Sequence, residues 1–169
     1  MPQSIAIFTH EYFPKRGGIA VYTEEIARTA ARDFQVTLYA PHHPALLAHS
    51  TNVPYRIQPL PLRGTQSWPD RMRLAQVWNQ QPETLQADWI YLPEPGPIRA
   101  LLYHQLQGAE FPFEKTVLTL HGTEILRFTQ FPHRRLLFRK LLQRVRKIGV
   151  VSTFNRDLLL GFAPELADK

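Results

Sequence analysis

Short apolar runs alternate along the chain with longer segments of helical spacing. Ile5-Ala6-Ile7-Phe8 is a continuous apolar run of strand length, the pattern of a parallel strand covered on both faces. Ile19 to Arg32 is a helical segment, with Tyr22, Ile26 and Ala30 on one face and Val21 and Ala27 beside them. Its acidic pair, Glu24-Glu25, falls near the end that the helix dipole favours for negative charge. Phe34 to Ala40 alternates and predicts a second strand, completing a right-handed βαβ unit. His42 to Val53 reads as loop with a helical turn at Leu46-Leu47. Tyr55 to Leu60 predicts a third strand, which Pro54, Pro59 and Pro61 assign to a sheet edge.

The second half repeats the rhythm. Asp70 to Gln80 predicts a helix that packs through Met72, Ala75 and Trp78-Asn79 and ends before Pro82. Asp88 to Leu92 is a strand, Pro93 to Pro97 a loop, and Ile98 to Leu106 a helix. Thr116 to His121 is a β-branched strand. Pro132 to Lys147 is a helix with an apolar stripe of Leu137, Phe138, Leu141, Leu142 and Val145. Ile148 to Val151 is a strand, and Ser152 to Phe162 a helix that Ser152 or Thr153 caps. Strands alternating with helices predict an α/β fold, a doubly wound, mostly parallel Rossmann-like sheet of about six strands in one domain.

In such sheets ligands bind beyond the carboxyl ends of the strands, and the candidate residues follow from that rule. Gly17-Gly18 lies between the first strand and its helix, where missing Cβ atoms and unpaired helical N–H groups seat an anion. Glu94 follows the fourth strand. It is read either as lining the same crevice or as a solvated residue of a rigid proline loop. His121-Gly122 stands at the end of the fifth strand, the histidine beside a glycine that allows close approach. Glu124 and Arg127 are further candidates to line the cleft. Ser152 and Asn155 open the last helix at the same end of the sheet, the serine as a cap or a ligand contact.

Composition removes several function classes. There is no cysteine, so disulfides and thiolate-bound metals are excluded. His42, His43 and His49 read as a solvated loop rather than a metal site, and no metal is expected. No Gly-x-Gly-x-x-Gly occurs, and Ala40-Pro41 stands where a dinucleotide site places its ribose-binding acid, which argues against NAD. The net charge of +6 concentrates in the helix from Pro132. Arg134, Arg135, Arg139 and Lys140 there form a charged surface or a contact for anionic lipid head groups. No aromatic stacking platform accompanies them, so no nucleic acid is expected. A polar Pro2-Gln3-Ser4 precedes the first strand in place of a leader, and the chain is read as cytoplasmic, peripheral to the inner face of a membrane.

Three stretches resemble the glycosyltransferases of group 1, or family 4, which have the GT-B fold. Phe13-Pro14-Lys15-Arg16-Gly17-Gly18-Ile19-Ala20 with Glu24-Glu25 resembles the family's first loop and helix. Thr119-Leu120-His121-Gly122-Thr123-Glu124 resembles its Thr-x-His-Gly segment. Val150-Val151-Ser152-Thr153 with Asn155 resembles its strand ending in Val-Ser. The resemblance implies transfer of a sugar from a nucleotide sugar to an acceptor hydroxyl, with retention of configuration. It implies a sugar, lipid-linked or polysaccharide acceptor and no cofactor in this chain. It places His121 near the reacting carbon and Gly17-Gly18 against the donor phosphate or the acceptor. The family's second domain, with its Glu-x7-Glu segment, has no counterpart before Lys169. The chain is therefore expected to be the N-terminal, acceptor-side domain, inactive alone. The competing reading is a non-catalytic acceptor- or membrane-binding module that works with a separate partner. A nucleotide-binding regulator is the third.

Overall fold

The computed structural model describes residues 2–15 and 17–169, with the backbone alone at Leu47 and Thr123. Arg16 of the glycine loop lies outside the described residues. Six parallel strands form one sheet: β1 (Ser4–Phe8), β2 (Gln35–Pro41), β3 (Arg56–Leu60), β4 (Trp89–Leu92), β5 (Thr116–Leu120) and β6 (Lys147–Val150). Their order is β3-β2-β1-β4-β5-β6. The chain runs outward from β1 to β3, crosses back, and runs outward again from β4 to β6. The point of reversal lies between β1 and β4, where an open α/β sheet leaves a crevice. β3 is an edge strand, so the missing N–H of Pro59 disturbs the ladder least there.

Alternation along the strands builds two cores. Ala6, Phe8, Ile90, Leu92, Leu118 and Leu120 face one way, against α3 (Trp68–Gln80), α4 (Pro95–Leu106), α6 (Pro132–Arg144) and α7 (Thr153–Phe162). Ile7, Val36, Leu38 and Ala40 face the other, against α1 (Gly18–Ala30) and α2 (Leu46–Ser50). Burying a leucine or phenylalanine side chain stabilises a fold by about 1.5–3 kcal/mol, so these two layers dominate the favourable terms.

The structure corrects several helix faces. α1 buries Ala20, Thr23 and Ala27, while Tyr22, Ile26 and Ala30 are half-buried and Val21 is exposed. Glu24 does not serve the dipole, because no acidic residue lies in the first turn. It instead binds Arg28 at 2.7 Å. α3 starts at Trp68 and packs through Leu74, Ala75, Val77 and Trp78, leaving Met72 exposed. α4 starts at Pro95, inside the segment read as loop. A short helix, α5 (Thr123–Thr129), occupies a stretch with no predicted element. Lys147 belongs to β6 and not to α6.

Candidate functional site

Five loops and helix starts meet at the carboxyl edge of the sheet, and Glu94 ties the switch point together. It is the N-cap of α4 and fully buried, so it is not solvated. Its Oε1 accepts from the His10 amide at 2.5 Å and from Thr9 Oγ1 at 3.2 Å. Its Oε2 accepts from the Gly96 amide at 3.0 Å and from Gln66 Nε2 at 3.1 Å. The carboxylate thus joins the end of β1, the start of α4 and the β3–α3 loop. Gln66 Nε2 also donates to Glu11 Oε1 at 2.9 Å. Asp70 holds that loop by accepting from the amides of Arg63 and Thr65, each at 3.0 Å.

His10 lies beside Glu94, its Nδ1 3.9 Å from Oε1, and both residues are fully buried. A Cβ on Gly96 would come within 2.9 Å of the His10 Cγ, so the ring fits only against a glycine. Burial lowers the His10 imidazole to about 4 and raises the Glu94 carboxyl to about 7. The amides donated to Glu94 keep it below where burial alone would put it.

Both shifts are linked to stability. The folded chain keeps a proton on Glu94 that the unfolded chain loses above pH 4.5, so this contribution falls as pH rises toward 7. Folded His10 stays neutral where the unfolded residue is charged, so its contribution rises between about pH 4 and 6.5. The two slopes offset each other where they overlap. Glu94→Gln removes one of them. Its urea stability relative to wild type is expected to rise by about 3 kcal/mol between pH 4.5 and 7. A difference that stays constant across that range would contradict this titration.

His121 follows β5 and is half-exposed. Its Nε2 lies 2.7 Å from the Pro93 carbonyl oxygen. A carbonyl only accepts, so the proton sits on Nε2, and in the neutral ring the lone pair is on Nδ1. The amide of His121 donates to Glu124 Oε1. Tyr22 of α1 packs edge-on against the imidazole, with centroids 5.4 Å apart. Tyr22 is fixed in turn by the Tyr91 hydroxyl at 3.0 Å, which meets Thr119 Oγ1 at 2.7 Å. The first turns of α1 and the end of β5 therefore form one wall.

Gly122 has φ +106°, a conformation that glycine adopts without strain, and it caps α5. Ser152 is the N-cap of α7, accepting from the Asn155 amide at 3.2 Å. The side chain of Asn155 is buried against Gly122. Gly17 caps α1 without a side-chain bond. Neither Gly17 nor Gly18 has a positive φ. A Cβ on Gly18 would meet nothing within 4 Å, and one on Gly17 only Glu11 Oε2 at 3.7 Å. Nothing inside the fold requires glycine at Gly18, and the backbone there is open to an approaching group.

The sequence-predicted residues therefore divide. Gly17, Gly18, His121, Gly122, Glu124, Ser152 and Asn155 come together at one end of the sheet, as does Glu94, whose bonds are internal. Arg139 on α6 is committed to Glu165, with contacts of 2.6 and 2.9 Å. Arg134, Arg135 and Lys140 are exposed. Among the described residues, no three His, Asp or Glu side chains gather as a metal site would require. Sequence reasoning missed Thr9, His10, Gln66 and the Tyr22–Tyr91–Thr119 hydroxyl chain. The polar pair Thr9-His10 directly after an apolar strand was the one signal available.

The profile of the family described as Glycosyltransferase Family 4 matches residues 16–165. No curated protein matches the chain. Among solved structures, one described as the glycotransferase of kitacinnamycin matches with a TM-score of 0.48 and 15% identity over 82% of this chain. The chain spans 38% of that structure's length.

Proposed function

Since the chain belongs to glycosyltransferase family 4, we propose that it is the acceptor-side half of an enzyme that moves a sugar from a nucleotide sugar to an acceptor hydroxyl with retention of configuration. A nucleotide-sugar domain outside these 169 residues completes the site, and the chain alone transfers no sugar. The observation that carries this reading is the open backbone at Gly17-Gly18, one helical turn from the Tyr22–His121 contact. Amides at a helix start offer fixed donors to a donor phosphate. The Nδ1 lone pair of His121 accepts a sugar hydroxyl close to the reacting carbon. Among the described residues, nothing in the crevice pairs a nucleophile with its own base, so no covalent step is assigned to this chain.

We further propose an acceptor presented at a membrane surface. No helix among the described residues is long and apolar enough to cross one. However, Leu126, Phe131 and Leu136 are 51%, 47% and 56% exposed at the α5–α6 turn, beside Arg134 and Arg135. Apolar and basic side chains on one exposed turn suit an anionic lipid surface on the cytoplasmic side.

Gly18→Ala in the complete enzyme tests the reading. Alanine favours a helix over glycine by up to about 1 kcal/mol, and the site is empty of internal contacts, so stability is expected to hold or rise. Release of nucleotide from the nucleotide sugar is expected to fall about tenfold or more, because the methyl group displaces the bound group. A stable variant that turns over at the wild-type rate would remove the glycine loop from the site.

A further inference from the structure

The crevice carries a group of arginines that the transfer step described above does not use. Arg71 of α3 donates through Nε and Nη2 to the Gln66 carbonyl oxygen, at 2.9 and 2.6 Å. Arg99 of α4 donates through Nη1 to Oε1 of the same glutamine, at 3.3 Å. Two guanidinium groups thus share one residue. The Arg99 guanidinium also stands over the Phe128 ring of α5, 6.0 Å from its centroid. Arg127, the neighbour of Phe128, brings a third positive charge.

We propose that Arg71, Arg99 and Arg127 form an oxyanion site beside His121 that binds a phosphate or phosphodiester group of the acceptor. The inference rests on the transfer reading and names the class of acceptor that fits it. Three like charges are gathered here, with Glu124 and Glu94 the carboxylates in the field of Arg99. Among the described residues, none of the ion pairs includes any of the three arginines. The nearest carboxylates have other partners. Glu94 accepts from Thr9, His10, Gln66 and Gly96, and Glu124 accepts from the His121 amide. Burial lowers the Arg71 and Arg99 side chains below their ordinary range, and the charge of Arg127 lowers both further. Arg71 and Arg99 are half-buried and Arg127 is exposed, so the group opens to solvent on one side.

Guanidinium forks match phosphate oxygens two at a time, which makes a phosphoryl group the best relief for this concentration of charge. Glu124 links the site to the catalytic region, because it lies in the field of Arg99 and holds the His121 amide. A phosphate bound here would hold the rest of the acceptor close to His121. Arg71 and Arg99 also brace Gln66, a structural task. Arg127 is surface-exposed, and replacing it leaves the clamp on Gln66 intact.

The test is calorimetric titration of the 169-residue chain with inorganic phosphate and methyl phosphate, with acetate as the carboxylate comparison. Saturable binding of one phosphate or methyl phosphate is expected. Arg127→Gln and Arg99→Gln are expected to weaken it about tenfold or more. Arg32→Gln, just past the C-terminal end of α1, is expected to stay within about twofold. The melting temperature of Arg127→Gln should match wild type. Absence of saturable phosphate binding, acetate binding as tight as phosphate, or equal weakening by Arg32→Gln would each overturn the site. The titration needs no sugar transfer, so it stands apart from the transfer reading. An active enzyme whose use of phosphorylated acceptors survives Arg127→Gln would overturn the acceptor assignment and leave transfer intact.

Discussion

Gly122→Ala is expected to destabilise the chain by about 3 kcal/mol or more. Two separate costs combine. An L side chain at φ +106° is strained by about 1–3 kcal/mol. The new Cβ would also stand 2.9 Å from the Asn155 Cγ, closer than real side chains approach. Asn155 has little room to retreat, because it is 6% exposed and its amide is held by the Ser152 cap of α7. Relief therefore requires movement of the start of α7 or of α5, and both define the crevice. Urea unfolding of the purified variant measures the effect. A change below about 1 kcal/mol would show that the β5–α5 turn is softer than its geometry implies. Gly18 is the counter-case, since its surroundings are empty and its φ is ordinary. The two glycines look alike in the sequence, yet one is required by the fold and the other leaves room for a ligand.

Much of the architecture was legible in the chain, for reasons that separate good from poor readings. Ile5 to Phe8 and Thr116 to Leu120 carry apolar or β-branched runs of strand length, and both are strands close to those limits. The stripe on α6 is buried as its spacing implies, at Phe138, Leu141 and Leu142. Ser152 caps α7 as its place before the helix suggests. Errors arose where local chemistry has two readings. Pro95 and Pro97 look like loop residues, but the first turn of a helix has N–H groups without partners, so proline fits there. Thr123 to Thr129 is too short for a helical period to stand out. The exposed Val21 and Met72 show that periodicity gives a face and not its direction, which only the position of the sheet decides.

The candidate site was legible in part. His121 and Gly122 were legible as residues at the end of a strand, because a strand end followed by glycine is a local pattern. The surroundings of Glu94 were not, because they join positions far apart in the chain. Gln66 reaches Glu11 and Glu94 from the β3–α3 loop, and Thr9 and His10 meet Glu94 across the switch point. No local rule pairs those residues. The gathering of Arg71, Arg99 and Arg127 from three helices is hidden for the same reason.

In the proposed function the crevice around His121 is one wall of a sugar-transfer site. His121→Ala separates that role from a structural one. The substitution removes one hydrogen bond, from Nε2 to the Pro93 carbonyl, and an edge contact with Tyr22 on a half-exposed side chain. The expected loss of stability is about 1 kcal/mol. The amide bond to Glu124 belongs to the backbone and stays. If Nδ1 holds a sugar hydroxyl in the transition state, its loss is expected to lower turnover about a hundredfold or more. The measurement is kcat for nucleotide release and sugar transfer by the complete enzyme, wild type against His121→Ala, with urea unfolding of both proteins alongside. A drop of about a hundredfold in a variant that remains folded is the predicted result. A folded variant with the wild-type kcat would contradict the account and move the reacting centre away from this crevice.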